Sequence, residues 1–234
     1  MEVKEQYSRL ADLFRYPDEN YISNVNKCAD NLKVNYPEAF EKLIPFTNWV
    51  NSHSIVEIEE LFGKTFHIQA ICYLDMGYVL FAEDYKRGEF LVQMKKEQAN
   101  ANVDCGEELA DNLPNVMKLM SVMEDQTFLE EFAIRVVKVA LEKMIKEFDE
   151  SRIKLKDKVR KKKQKVIIMA DLQNRNIYQS ALEAMHSVVL DDFHKTYNDP
   201  IIVPTFGVDA LSCSTGCSTP TPPKDVLSAP TAAQ

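Results

Sequence analysis

Residues 128–148, FLEEFAIRVVKVALEKMIKEF, carry the longest uninterrupted helical pattern in the chain. Apolar side chains recur there at the spacing of one helix face, with charged residues between them. The predicted stripe consists of Phe128, Phe132, Val136, Val139, Met144 and Phe148. The segment therefore predicts an amphipathic helix that packs one side against a protein core.

The same spacing extends through most of the chain, and no alternating strand pattern interrupts it. Pro17 ends the first predicted helix, Pro37 and Pro114 fit the first turns of two others, and Ser54-Ile-Val-Glu57 reads as a capping box. Pro45 is expected to kink or divide its helix. The further predicted helices run through Tyr7–Phe14, Tyr21–Leu32, Pro37–Val50, Ser54–Phe62, Ile71–Phe81, Arg87–Met94, Pro114–Met123 and Ile177–Phe193. The predicted fold class is all-α, a single globular helical bundle.

Composition supports this fold class and narrows the function. The chain of 234 residues contains 6 glycines, whereas average usage would give about 16. Glycine-rich phosphate loops, dinucleotide-binding folds and turn-dense β-sandwiches are therefore disfavoured. The net charge of −8 argues against a surface built wholly for nucleic acid or an anionic membrane.

Two segments differ in composition from the rest. Lys154–Lys165 holds eight basic residues and one acidic residue, a net charge of +7, which leaves −15 for the remainder of the chain. From Pro200 onward the chain contains six of its ten prolines and many small polar residues, a composition typical of disorder. We expect a helical domain over 1–198, with the basic segment 150–170 inside it, and a flexible, disordered tail over 199–234.

The sequence predicts a cytoplasmic protein. Its first residues lack the apolar region of a secretory signal, and no apolar run approaches the about 18 residues that span a bilayer. The five cysteines are odd in number and widely spread, as expected for reduced thiols. We expect no stable membrane insertion.

No motif in the chain predicts catalysis or a bound cofactor. Gly63-Lys64-Thr65 resembles the end of a phosphate-binding loop, but Ile58 stands where that motif needs glycine. The four histidines are scattered and lie outside known metal-ligand spacings. Cys213 and Cys217 form the weak metal or redox candidate, since two thiols do not complete a tetrahedral site. We expect no enzymatic activity, and a metal-dependent hydrolase on a helical scaffold is the least favoured alternative.

An acidic helical protein without catalytic motifs suggests a binding module. One form of this hypothesis is a helical adaptor or regulator that uses Lys154–Lys165 to contact nucleic acid or an acidic partner. The basic run lacks interleaved aromatic residues for base stacking, so no nucleic-acid partner is expected.

Four short blocks between Glu60 and Met120 resemble a known family. They are Thr65-Phe66-His67, Cys72-Tyr73-Leu74, Arg87-Gly88, and Glu108-Leu-Ala-Asp111-Asn112-Leu113-Pro114. In order and spacing they are similar to the NarJ-type (delta-subunit) assembly chaperones of respiratory nitrate reductase, within the TorD-like maturation chaperones. Three positions depart from the family pattern: His67 replaces Asp, Ala110 replaces Pro, and Asn112 stands where His or Tyr is usual.

The resemblance implies a chaperone that catalyses no reaction and needs no cofactor. Its partner would be the catalytic, molybdenum-cofactor subunit of a nitrate reductase or nitrite oxidoreductase type enzyme. The chaperone would bind that subunit's N-terminal segment and hold it for cofactor insertion and assembly. The expected oligomeric state is a monomer or a homodimer.

The groove for this peptide is predicted around the matched blocks. Apolar walls are assigned to aromatic and leucine side chains, and Glu108 and Asp111 are expected to pair with ligand Arg or Lys. Each aromatic is alternatively a core residue, Asp111 a helix N-cap, and Arg87 a salt-bridge partner for the loop that carries Asp111. The candidate peptide-binding residues are Phe66, Tyr73, Tyr78, Arg87, Glu108, Asp111, Asn112, Leu113 and Leu119.

Overall fold

The computed structural model describes residues 5–67, 70–153, 174 and 176–193. These residues lie in one compact unit, Met1–Ile201, and the unit Ile202–Gln234 is wholly outside them. The basic run Lys154–Lys165 and every residue after 193, which includes the predicted tail, Cys213 and Cys217, lie outside the described residues.

The prediction of an all-α fold is confirmed. Within the described residues, β pairing is limited to one isolated antiparallel bridge between Asp75 and Asn112. A π-helical turn, Gly63–His67, follows α4, and a second one, Ala133–Val137, joins α8 to α9. The helices are α1 Glu5–Asp12, α2 Tyr21–Asn35, α3 Pro37–Ser52, α4 Ile55–Phe62, α5 Met76–Phe81, α6 Tyr85–Asn100, α7 Leu113–Val122, α8 Gln126–Phe132, α9 Lys138–Lys146 and α10 Ile177–Phe193.

Local sequence signals set several of these boundaries. Ser54 and Glu57 form the predicted capping box, in which the Ser54 side chain accepts from Glu57 N–H and the Glu57 side chain accepts from Ser54 N–H. The hydrogen bonds from Ser54 lower the pKa of the Glu57 carboxyl. Pro37 occupies the first turn of α3, where its missing N–H costs nothing. Pro45 does not divide α3, which continues to Ser52.

Helix α10 lies at the centre of the packing. It packs mainly against α3 and also against α9, while α1 packs against α7 and α2. The Tyr178 ring contacts the rings of Phe14, Phe46, Phe62 and Phe66 at centroid distances of 4.8 to 6.2 Å. The Tyr178 hydroxyl lies 3.2 Å from the Tyr21 hydroxyl, which donates to Leu13 O at 2.6 Å. The last helix of the described fold thus completes an aromatic core built from α1 to α4.

The longest predicted stripe is helical, with a changed face. Phe132, Val136, Met144 and Phe148 are buried, whereas Phe128 and Val139 are only partly buried. Because a π turn takes one more residue than an α turn, the buried face also includes Leu129, Ala133, Val137, Ala140 and Leu141.

The predicted helix over Ile71–Phe81 is wrong in its first half, because α5 begins only at Met76. The residues before it run extended beside the start of α7: Leu113 N–H donates to Leu74 O and Met76 N–H to Asp111 O, each at 2.9 Å. This pairing joins segments almost forty residues apart, so local periodicity gave no signal of it.

Candidate functional site

The four blocks of the sequence resemblance meet in one place. Backbone N–H groups of Ile71 and Cys72 donate to Thr65 O at 2.8 and 3.2 Å, which joins the first block to the second. The extended pairing of Leu74 with Leu113 joins the second block to the fourth. Arg87, from the third block, lies 3.4 Å from the Asp75 carboxylate. Blocks that are separate in sequence therefore form one hydrogen-bonded unit.

Asp111 lies at the centre of this unit. Its side chain is fully buried, and its Oδ2 accepts from Gly77 N–H at 2.9 Å, in the first turn of α5. Asp111 thus caps a helix other than the one it precedes in sequence. Burial, with a further contribution from the Asp75 carboxylate, raises the pKa of Asp111. Arg87 forms a salt bridge with Asp75, in the segment before α5, and not with the loop that carries Asp111 as predicted. Asp75 also accepts from the Asn112 side chain at 3.3 Å.

A cleft of about 300 Å³ opens beside this unit. Its walls come from the turn after α1, the π turn after α4, the extended segment before α5, the loop between α6 and α7, and the start of α7. A volume of this size is at the lower end of small-ligand pockets, enough for one or two side chains of a bound peptide. The lining residues are Phe14, Arg15, Tyr16, Asp18, Phe62, His67, Leu74, Cys105, Glu108, Asn112, Pro114 and Asn115.

Aromatic rings form one side of the cleft. Tyr16, which is 57% exposed, stacks on His67 with ring centroids 6.4 Å apart and an interplanar angle of 8°. The edge of Phe62 packs against both rings at 5.6 and 5.3 Å. An exposed flat ring at the mouth of a cleft is a suitable contact for an apolar or cationic side chain.

The charges around the cleft favour a cation. Arg15 is paired with Asp12 at 3.2 Å, so its charge is already balanced. Asp18 and Glu108 are exposed at the cleft, and no ion pair with a described residue occupies the Glu108 carboxylate. A cationic side chain in the cleft would therefore meet two carboxylates.

The loop that carries Glu108 is held from within. The Gln98 side chain donates to Ala110 O at 2.7 Å and accepts from the Cys105 thiol at 2.8 Å. The Asn115 side chain donates to Cys105 O at 3.1 Å and to Leu109 O at 3.0 Å. Partial burial and the neighbouring Asp104 raise the pKa of the Cys105 thiol, which makes it a poor nucleophile.

A second exposed surface lies on the other side of Leu74. The rings of Tyr73 and Tyr78 meet edge to face at a centroid distance of 4.6 Å, and the Arg87 guanidinium lies 5.3 Å from the centre of the Tyr78 ring. Tyr73 is 45% exposed. Tyrosine and arginine are common among the residues that dominate binding interfaces. We call Tyr73, Tyr78 and Arg87 the tyrosine surface.

No family model and no curated protein sequence matches this chain.

The structure divides the candidate peptide-binding residues into two groups. Tyr73, Tyr78, Arg87 and Glu108 reach the surface, and Asn112, though mostly buried, lines the cleft. Buried side chains form the other group: Phe66, Asp111, Leu113 and Leu119. A peptide would contact the second group only after rearrangement, so in the described arrangement these four act as core or cap.

Sequence reasoning missed the contribution of the turn after α1. Arg15, Tyr16 and Asp18 line the cleft although about fifty residues separate them from the matched blocks. The signal was present in Tyr16, an aromatic residue next to Pro17 at a helix end, but periodicity alone assigned it no role.

The described residues contain no group of three or more His, Cys, Asp or Glu side chains placed to hold a metal ion. None of the described helices is long and apolar enough to cross a membrane.

Proposed function

We propose that this protein is a cytoplasmic assembly chaperone for a molybdenum enzyme of the nitrate reductase or nitrite oxidoreductase type. It binds the N-terminal segment of the catalytic subunit and keeps that subunit available for cofactor insertion. The protein performs no catalysis itself. Its own contribution is a binding surface and the controlled release of the bound segment.

The observation that supports this proposal is the convergence of the four matched blocks. They enclose no catalytic group. His67, Glu108 and Asn112 from these blocks line an acidic, aromatic cleft, and Tyr73 and Arg87 belong to the tyrosine surface. The blocks that resemble a chaperone family therefore include residues that are accessible to a bound segment, although Phe66, Asp111 and Leu113 are buried.

The geometry suggests how the segment binds. The cleft, at about 300 Å³, is too small for a whole helix and suits inserted side chains. Leu74 lines the cleft, and Tyr73, its neighbour in the chain, belongs to the tyrosine surface. A peptide that inserts one cationic side chain between Glu108 and Tyr16 continues across Tyr73 and Tyr78. Ordering a flexible segment costs about 2–5 kcal/mol, which keeps the complex releasable.

Calorimetric titration tests the proposal directly. The ligand is a synthetic peptide with the N-terminal sequence of a molybdenum-enzyme catalytic subunit encoded beside this chain's gene. We expect binding with a negative heat-capacity change, because apolar surface is buried. Glu108→Lys should weaken the affinity about tenfold at low salt, and less at high salt, because exposed charges are screened.

Glu41→Lys is the matched control. Glu41 is an exposed acid on α3, outside the cleft lining, and its reversal makes the same change in net charge. A peptide in which one basic residue is replaced by Glu should recover affinity for Glu108→Lys and not for Glu41→Lys. Equal losses in the two variants would place the site elsewhere. Absence of binding to every such peptide would reject the function.

A further inference from the structure

Helix α5 is the least anchored helix at the site. It has six residues, with non-helical segments on both sides. Only Met76 and Gly77 are buried; the remaining four residues are partly exposed. The helix packs against α6 and α9, and its Phe81 ring lies 5.8 Å from the Phe90 ring of α6. Phe90 itself is 1% exposed.

Few polar contacts hold α5 in place. Asp111 accepts from Met76 N–H through its backbone oxygen and from Gly77 N–H through its side chain, each at 2.9 Å. At the other end the Lys143 ammonium donates to Leu80 O at 3.1 Å. Both anchors lie at the ends of the helix.

The contact at Gly77 leaves no spare room. A Cβ atom at this position would lie 2.6 Å from Asp111 Oδ2 and 3.0 Å from Phe90 Cδ1. Glycine is therefore required for α5 to lie against both Asp111 and Phe90. A larger residue would force the Asp111 carboxylate, the Phe90 ring or α5 itself to shift.

The position of α5 against Phe90, which we call its closed position, also carries conformational strain. Ala82, which ends the helix, has φ 54° and ψ −130°, a region that residues with a Cβ atom rarely adopt. Release of α5 would let Ala82 return to an ordinary backbone conformation.

Two buried polar atoms add to this cost. Asp111 Oδ1 and Arg87 Nε have no hydrogen-bond partner among the described residues. A buried polar atom without a partner loses its hydration with no compensation. The strain at Ala82 and the unsatisfied atoms of Asp111 and Arg87 raise the free energy of the closed state of α5. Opening α5 therefore costs less free energy than opening a helix whose groups are all satisfied.

We propose that α5 is a lid that opens as a unit and makes the side of Phe90 that it covers accessible to the apolar face of the bound segment. The role in binding rests on the proposed function, whereas the opening itself does not. Opening moves Tyr78 together with α5, so a segment that lies between Tyr73 and the displaced Tyr78 gains apolar contact with Phe90 where α5 had been. Binding then selects the open state.

Hydrogen exchange on the full chain without ligand tests the opening. Two variants should shift the rate of hydrogen exchange over 76–82 in opposite directions. Gly77→Ala displaces Asp111 and should speed exchange over 76–82 at least about fivefold, and Ala82→Gly relieves the strain and should slow it about threefold or more. Gly88→Ala is the matched control, because a Cβ there meets nothing within 4 Å. Exchange of α7 reports global unfolding.

If Gly77→Ala fails to fold, hydrogen exchange of Ala82→Gly still tests whether α5 opens. In wild type, exchange over 76–82 should be much faster than in α7. Exchange over 76–82 that matches α7 in wild type, or that Ala82→Gly does not slow, would overturn the lid.

Peptide titration on the same proteins tests the coupling. Ala82→Gly should weaken peptide binding by the factor that it slows exchange, because the competent state becomes rarer. Slowed exchange with unchanged affinity would overturn the coupling of lid to ligand. If no variant binds peptide, the proposed function and the coupling both fail, and the exchange data alone decide whether α5 opens.

Discussion

A single carboxylate, Asp111, links the two halves of the candidate site. It ends the loop that carries Glu108 and caps α5, the helix that bears Tyr78. A buried carboxylate costs free energy when it is ionised if only one of its two oxygens accepts a hydrogen bond. The sign of this cost can be measured, because burial raises the pKa of Asp111 above that of the unfolded chain.

We expect Asp111→Asn to alter the pH dependence of stability. A raised pKa in the folded state means that wild type is most favoured below the unfolded value of about 3.9 and loses stability as pH rises through the folded pKa. Asparagine keeps an acceptor for Gly77 N–H without a charge. The unfolding free energy of the variant minus that of wild type should therefore be larger at pH 7 than at pH 4.

Urea unfolding at both pH values measures this difference. A difference that shrinks as pH rises would mean that ionised Asp111 stabilises the fold, in conflict with its buried environment.

Helix ends illustrate how local chemistry sets an element. The capping box of α4 provides two side-chain acceptors for backbone N–H groups within four residues, and α4 leads directly into the π turn that carries Thr65, Phe66 and His67. The start of α4 therefore influences the position of His67 in the cleft.

Ser54→Ala should lower the unfolding free energy by about 1 kcal/mol, the usual cost of losing an N-cap. Ser52→Ala is the control: Ser52 is exposed and its hydroxyl donates to Trp49 O at 2.9 Å and lies 3.0 Å from His53 Nδ1. Because these are contacts of an exposed side chain, its loss should stay within about 0.5 kcal/mol. Thermal or urea unfolding measures the loss of unfolding free energy in each of the two variants. Equal effects would show that the box contributes no specific stability.

The elements that sequence predicted well are those set by local signals. Helix α10 spans Ile177–Phe193 as expected, and α4 begins at its predicted cap. Helix α5 was predicted too long because the extended pairing of Leu74 with Leu113 is a contact between distant segments. Glu108 and Asn112, which the sequence singled out, line the cleft, but the share of Tyr16 in it depends on how α1 packs, which periodicity does not specify.

At the scale of the whole molecule, the fold depends on its last described helix. Eight residues of α10 are buried, among them Tyr178, Met185 and Phe193. Removing even one large core side chain costs about 2–5 kcal/mol, and a domain has a total stability of about 5–15 kcal/mol. We therefore expect that α1 to α9 without α10 do not form a stable fold.

We expect a chain that ends at residue 176 to show no cooperative thermal transition by circular dichroism. A chain that ends at residue 193 keeps every described contact of α10 and should unfold cooperatively. A cooperative transition in the shorter chain would mean that α1 to α9 form an independent core.

Asp192, near the end of α10, accepts hydrogen bonds from the Tyr36 hydroxyl at 2.8 Å, the Gln6 side chain at 3.1 Å and the Tyr7 hydroxyl at 2.5 Å. These donors leave the ribosome long before their acceptor. At about 10 residues per second, roughly 12 s separate the synthesis of α3 from that of α10. During that interval the apolar face of α3 that α10 later covers has no partner from α10, so the nascent chain passes through a stage in which this face is exposed to contacts with other proteins.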